Sequence, residues 1–248
     1  MPERHHCSFV VNNEDKLYWF DAGECCSYTA HTMGLDLPAT EAVFISHTHM
    51  DHIGGLPNLL WTLHKLCCIS GATRDRFAGR KISVHLPNLS VWDGILDMLA
   101  GTEGGFKINF ALEAKVCTDG VLYDQDGMRV TAAHNWHLGE PADGQPWQSF
   151  SFRIDVNGKR IVYSGDVRSI KDFAHLIEDC DLVLMETGHH KVEDVCNFLH
   201  QSGKAFGRLG FTHHGRAILD DADRELKKAQ FILGDNVFIA HDGITLDL

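Results

Sequence analysis

Short apolar runs and polar turns alternate from the start of the chain. Cys7-Ser8-Phe9-Val10-Val11 and Lys16-Leu17-Tyr18-Trp19-Phe20 flank the polar turn Asn12-Asn13-Glu14-Asp15, a pattern that predicts a β-hairpin. Residues 24–33 are compatible with a helix. Ala42-Val43-Phe44-Ile45 reads as a buried strand, and Gly54-Gly55 leads into Leu56-Pro57-Asn58-Leu59-Leu60, where apolar positions recur near every 3.6 residues and carry a helix through Leu66. Residues 81–86 alternate as a strand stopped by Pro87, and residues 89–99 are helical again.

The second half repeats the theme. Residues 106–114, 121–123 and 127–134 are strand-like. Phe150, Phe152, Ile154 and Val156 share one face of a strand, and Asn157-Gly158 turns it into a partner over residues 159–163. A helix is expected next, followed by a buried strand from Leu182, a strand over 206–212, one helix over 218–231, and a closing hairpin within 236–246. Strand and helix patterns in two successive halves point to an α/β class.

Composition narrows the partners. At 248 residues without a Pro-, Gly- or Ser-rich linker, one domain over 1–248 is expected. The formal net charge of -12 disfavours long nucleic acid, whose affinity comes largely from Lys and Arg on phosphates. Bound cations would reverse the sign locally, so a small anionic substrate fits. No apolar stretch approaches the roughly 18 residues of a membrane span, and the first residues do not read as a signal peptide, so a cytoplasmic protein with no membrane partner is expected. A homodimer stays open. The eight cysteines include the adjacent pairs Cys25-Cys26 and Cys67-Cys68, which do not suit a disulfide framework; reduced thiols are expected.

Candidate chemistry concentrates in Ile45-Ser46-His47-Thr48-His49-Met50-Asp51-His52-Ile53-Gly54-Gly55. His47 and His49 alternate as in extended chain, so both can meet one cation, while the adjacent Asp51 and His52 diverge toward a second. This stretch resembles the HxHxDH signature of the metallo-β-lactamase superfamily. The resemblance implies a four-layer αββα sandwich and two divalent metal ions, zinc first, with manganese or iron as alternatives. It implies that Asp21, in Asp21-Ala22-Gly23, orients the metal loop without ligating. It also implies a glycine-rich strand ahead of the first hairpin, which this sequence does not show.

Later segments supply further candidates under the same resemblance. His134 takes the third-motif place with His137 as competitor, Asp166 in Ser164-Gly165-Asp166 bridges the metals, and His213 closes the fifth motif with His214 as understudy. The implied metal set is His47, His49, Asp51, His52, His134, Asp166 and His213. Leu184-Met185-Glu186-Thr187-Gly188-His189-His190 resembles a segment of ribonuclease Z and related phosphodiesterases in which a histidine approaches the leaving group. His190, ahead of His189, is that candidate, with Glu186 as its partner and Asp51 completing the catalytic set. His5, His6, His31 and His64 read as bystanders.

The branch most resembled is the ribonuclease Z-like and cyclic-phosphodiesterase one. His134 and Asp166 are 32 positions apart, too few for the long arm with which ribonuclease Z grips its substrate. The expected activity is therefore phosphodiesterase action on a small phosphodiester or short nucleotide, by attack of a metal-bridging hydroxide. The alternatives are an ester, thioester or lactone hydrolase with the same site, and a non-catalytic metal-binding member. The presence of every expected ligand speaks against the last.

Overall fold

Two compact units, Met1–Cys117 and Thr118–Leu248, make up the chain in the computed structural model, which describes residues 4–102 and 105–248. The first unit opens with the expected hairpin, β1 (Phe9–Asn13) and β2 (Lys16–Phe20), paired antiparallel. Helix α1 (Cys26–Thr32) carries the chain to β3 (Thr40–Phe44), which pairs parallel to β2. A short helix α2 (Met50–Ile53) forms inside the histidine loop, and α3 (Leu56–Ile69) follows with Pro57 in its first turn, where a missing N–H costs nothing. Helix α4 (Gly71–Phe77), β4 (Lys81–Leu86), α5 (Leu89–Ala100) and β5 (Ala111–Val116) complete the unit. Among the described residues its sheet has the order β1-β2-β3-β4-β5. The strand expected over 106–114 begins only at Ala111.

One face of this sheet is buried by the helices. Trp19, Val43, Ile45, Ile82, Val84 and Leu86 pack with Leu56, Leu59, Leu60 and Leu63 of α3 and Trp92, Ile95 and Leu99 of α5. Each such side chain contributes about 1.5–3 kcal/mol by leaving water. The other face carries an in-register row of rings: Phe9 stacks on Phe20 at 4.9 Å, Phe20 on Phe44 at 5.0 Å, and Phe44 on His85 at 4.9 Å.

The second unit is built on β6 (Gly120–Gln125), β7 (Met128–His134), β8 (Phe150–Val156), β9 (Lys159–Tyr163), β10 (Cys180–Thr187), β11 (Phe206–His214) and β12 (Val237–Ile239), in the sheet order β12-β11-β10-β9-β8-β7-β6. The meander β6 to β9 is antiparallel, and β9 to β12 pair parallel. Helix α6 (Val192–Ser202) covers the crossover from β10 to β11; Val192, Val195, Cys196 and Leu199 bury one face of it against Val183, Met185, Leu209 and Phe211.

Three expectations are corrected here. The helix before β10 is a pair of 3-10 turns, Ile170–Asp172 and Ala174–Leu176, the first of them opened by a capping box between Ser169 and Asp172. The helix over 218–231 is broken into α7 (Arg216–Asp220) and α8 (Ala222–Leu233): Asp221 leaves helical backbone and its side chain accepts the Arg224 N–H at 3.0 Å. The closing hairpin is absent among the described residues; β12 ends at Ile239 and pairs with β11 alone.

Candidate metal centre

Each unit gathers polar side chains at the carboxyl ends of its parallel strands, the edge where open α/β sheets present ligands. In the first unit β2 ends on Asp21, fully buried and with φ 56, a left-handed conformation that aspartate tolerates through local hydrogen bonds. Its Oδ1 accepts the Ser46 backbone N–H at 2.6 Å, and its Oδ2 accepts the Ser46 hydroxyl at 2.8 Å and His52 Nδ1–H at 2.7 Å. That last bond fixes the His52 tautomer and turns Nε2, with its lone pair, toward Asp51 Oδ2 at 3.8 Å. Asp21 thus orients the loop, as the resemblance implies.

Backbone contacts hold the two loops together. Ala22 N–H donates to His52 O at 2.7 Å and Gly55 N–H to Ala22 O at 2.8 Å. A Cβ at Gly55 would lie 2.1 Å from Gly23 O, so the loops meet at a distance that only glycine permits. Within the loop His47 Nε2 and His49 Nδ1 are 3.1 Å apart, and the His47 and His52 rings are 4.1 Å apart. Two imidazole nitrogens on a tetrahedral ion at 2.0–2.1 Å are separated by about 3.3 Å, so the pair has the bite of a chelate.

In the second unit Asp166, following β9, is buried, and its Oδ2 lies 3.8 Å from His137 Nε2, 3.7 Å from His189 Nδ1 and 3.6 Å from His213 Nε2. These separations exceed a hydrogen bond and suit donors grouped around a shared cation. Asp166, Glu186, His189 and His213 each offer a ligand atom within 4.8 Å of the others. Oxygen and imidazole donors of this kind fit zinc, manganese and iron alike.

His134 is not among them. Its Nδ1 bonds Asp119 Oδ2 at 2.6 Å, its backbone N–H donates to Asp119 Oδ1 at 2.6 Å, and its ring stacks on Trp147 at 3.9 Å. The strand's last residue is claimed by a neighbouring carboxylate, and the imidazole near Asp166 belongs to His137, three residues on. The segment after it, 138–147, is a loop with Leu138, Glu140, Ala142, Asp143, Gln145 and Pro146 exposed.

His213 and His214 are separated by a bulge. Glu186 pairs with Thr212 and Thr187 with His214, leaving His213 as the extra residue with φ 43. Bulges re-aim side chains, and this one points His213 at Asp166 while His214 Nε2–H donates to Ala240 O at 2.7 Å. Glu186, buried at the end of β10, accepts the His189 backbone N–H at 2.9 Å and His189 Nδ1–H at 3.1 Å. His190 Nε2 is directed to Val167 O at 3.0 Å. Glu186 Oε1 also lies 3.4 Å from His190 Nε2, as expected, but Glu186 holds His189 through both backbone and ring, and the His189 side chain is 47% exposed, against 17% for His190. A Cβ at Gly188 would lie 2.4 Å from His213 Nδ1.

Two further residues that shape the site, Ser46 and Asp119, are not among the sequence candidates. Ser46 lies within the signature, between strand and first histidine, and was there to be seen; Asp119 is distant in sequence from the group it holds.

Comparison with known proteins places this geometry. The ribonuclease Z of Treponema pallidum is 45% identical over 60 residues, and the matched part is 24% of this chain and 19% of that protein's length. The ribonuclease Z of Halobacterium salinarum is 24% identical over an alignment of 292 positions covering 99% of this chain and 92% of the relative. Among solved structures, the metallo-β-lactamase fold protein YhfI from Bacillus subtilis superposes with a TM-score of 0.72 at 17% identity, covering 98% of this chain and 92% of that one. Yeast PDE1 gives 0.66 at 14% identity, covering 98% and 95%. Human tRNase Z, short form, gives 0.65 at 19% identity, covering 100% and 94%. The chain thus has the metallo-β-lactamase fold. With residues 3–238 matched by the family model described as Anti-Pycsar protein Apyc1, it belongs to that family.

Proposed function

We propose that this chain is a metal-dependent phosphodiesterase acting on a small phosphodiester or short nucleotide. Asp166, with the His137 and His213 Nε2 atoms at 3.8 and 3.6 Å, is the observation that carries the assignment. The assigned ligands are His47, His49, Asp51 and His52 from the first unit and His137, Asp166 and His213 from the second, for two divalent ions. When bound, such ions polarise phosphoryl oxygens and make water acidic enough to attack near neutral pH.

The protein's own residues have separate tasks. Asp21 and Ser46 hold His52 in one tautomer. Glu186 takes the Nδ1–H of His189, which leaves Nε2 to carry the proton for a departing oxygen, a step contributing about 10²–10⁴ in rate. The relatives named ribonuclease Z and PDE1 support phosphodiester cleavage, and the short 138–147 loop and acidic charge favour a small substrate over a long nucleic acid.

Metal analysis followed by assay on bis(p-nitrophenyl) phosphate, thioesters and lactones tests this. Cleavage of the phosphodiester, abolished by a chelator and restored by zinc or manganese, is expected. Turnover confined to the carbonyl substrates, or none with metal bound, overturns it.

A further inference from the structure

A second group of metal-binding side chains lies away from the histidine loop, on α3. His64, Cys67 and Cys68 stand at i, i+3 and i+4, so one helical turn brings them to one side. Each offers a ligand atom within 4.8 Å of the others. The two sulfurs are 3.8 Å apart, and a tetrahedral cation at about 2.3 Å from each sulfur sets them about 3.8 Å apart. The Lys107 carbonyl closes the group: it accepts His64 Nδ1–H at 2.6 Å and lies 3.9 Å from Cys68 Sγ. The His64 ring also leans on Phe106 at 5.4 Å.

From these distances we infer that His64, Cys67 and Cys68 form a site for a soft, thiophilic divalent cation, separate from the hydrolytic ligands. A disulfide is the competing fate of two neighbouring thiols. It would need an eight-membered ring around one peptide unit, which the regular backbone of α3 does not supply. The site is half open, with Cys67 buried and Cys68 exposed, so a cation can enter from solvent. Thiols must shed their protons to ligate, so binding displaces protons and tightens as pH rises. A cation here would tie the segment around Lys107 to the end of α3.

The assigned hydrolytic ligands contain no sulfur, and Cys7, whose sulfur lies beside Asp21 and His52, is controlled for by Cys7→Ser, so a thiolate band assigned by substitution reports on this site separately. Cadmium added to the reduced full-length protein should develop a sulfur-to-metal charge-transfer band in the ultraviolet. Cys68→Ser, at an exposed position, should lose most of that band, Cys25→Ser in the other adjacent pair should keep it, and His64→Ala should move the titration to higher cadmium. The inference is overturned if Cys68→Ser leaves the band intact or if Cys25→Ser removes it equally. Because the readout is optical and the ligands lie apart from the hydrolytic set, failure here leaves the proposed function untouched, and the reverse also holds.

Discussion

His134 and His137 show how narrowly two ligand candidates can differ. Both follow β7, both are imidazoles, and the strand's terminal residue is the natural choice from sequence. Asp119 separates them: it accepts from both the backbone and the ring of His134, while the turn that follows brings His137 Nε2 to 3.8 Å from Asp166 Oδ2. His137→Ala should accordingly lose bound metal and lower kcat/KM by at least about 10²-fold, the upper end of what losing a ligand's hydrogen-bond partner alone costs. His134→Ala should keep its metal, by elemental analysis of the purified variants. The neighbouring pair behaves likewise. His189→Ala should lower kcat by about 10²–10⁴ with KM nearly unchanged, whereas His190→Ala should stay within about tenfold. Steady-state kinetics on a phosphodiester substrate separates them. The early motif was fully legible because its residues are contiguous. The placements of His137 and His189 were harder to read because each turns on a carboxylate, Asp119 holding His134 or Glu186 holding His189, whose partner depends on the fold.

Elements impose their own consequences. The ring row across the first sheet ends in His85, a buried imidazole that burial, with help from Lys115, pushes down to about 4. An unfolded chain titrates that group at 6.5, so between these values the unfolded state binds a proton the folded state refuses. Stability from this residue is therefore complete above pH 6.5 and is lost as pH falls toward 4, by about 3 kcal/mol. His85→Phe keeps a ring against Phe44 and removes the titration, so the drop in urea midpoint on acidification should shrink relative to the parent. Strand positions were legible from alternation, because one face of each sheet packs helices. The bulge at His213, the cap at Asp221 and the paired 3-10 turns were not, since each depends on a local hydrogen bond that leaves hydrophobic periodicity unchanged.

For the whole molecule, the α/β class and superfamily were readable from a strand-ending histidine motif, while the division at Cys117 left no trace in composition because no Pro- or Gly-rich linker marks it. Ligand candidates occur in both units, so treatment with a chelator should both abolish turnover and lower the melting temperature. Adding zinc back should restore the two together, as activity assays and calorimetry on one sample would show. The crowding of Gly188 against His213 has a further consequence for how this molecule can change. Every side chain at position 188 would displace an imidazole, and every side chain at 55 would drive two loops apart, so both positions are closed to variation. The exposed non-glycine residues of 138–147, Leu138, Glu140, Ala142, Asp143, Gln145 and Pro146, carry no such restriction. A saturation library selected for altered substrate preference should fill that loop with survivors and return glycine alone at 55 and 188.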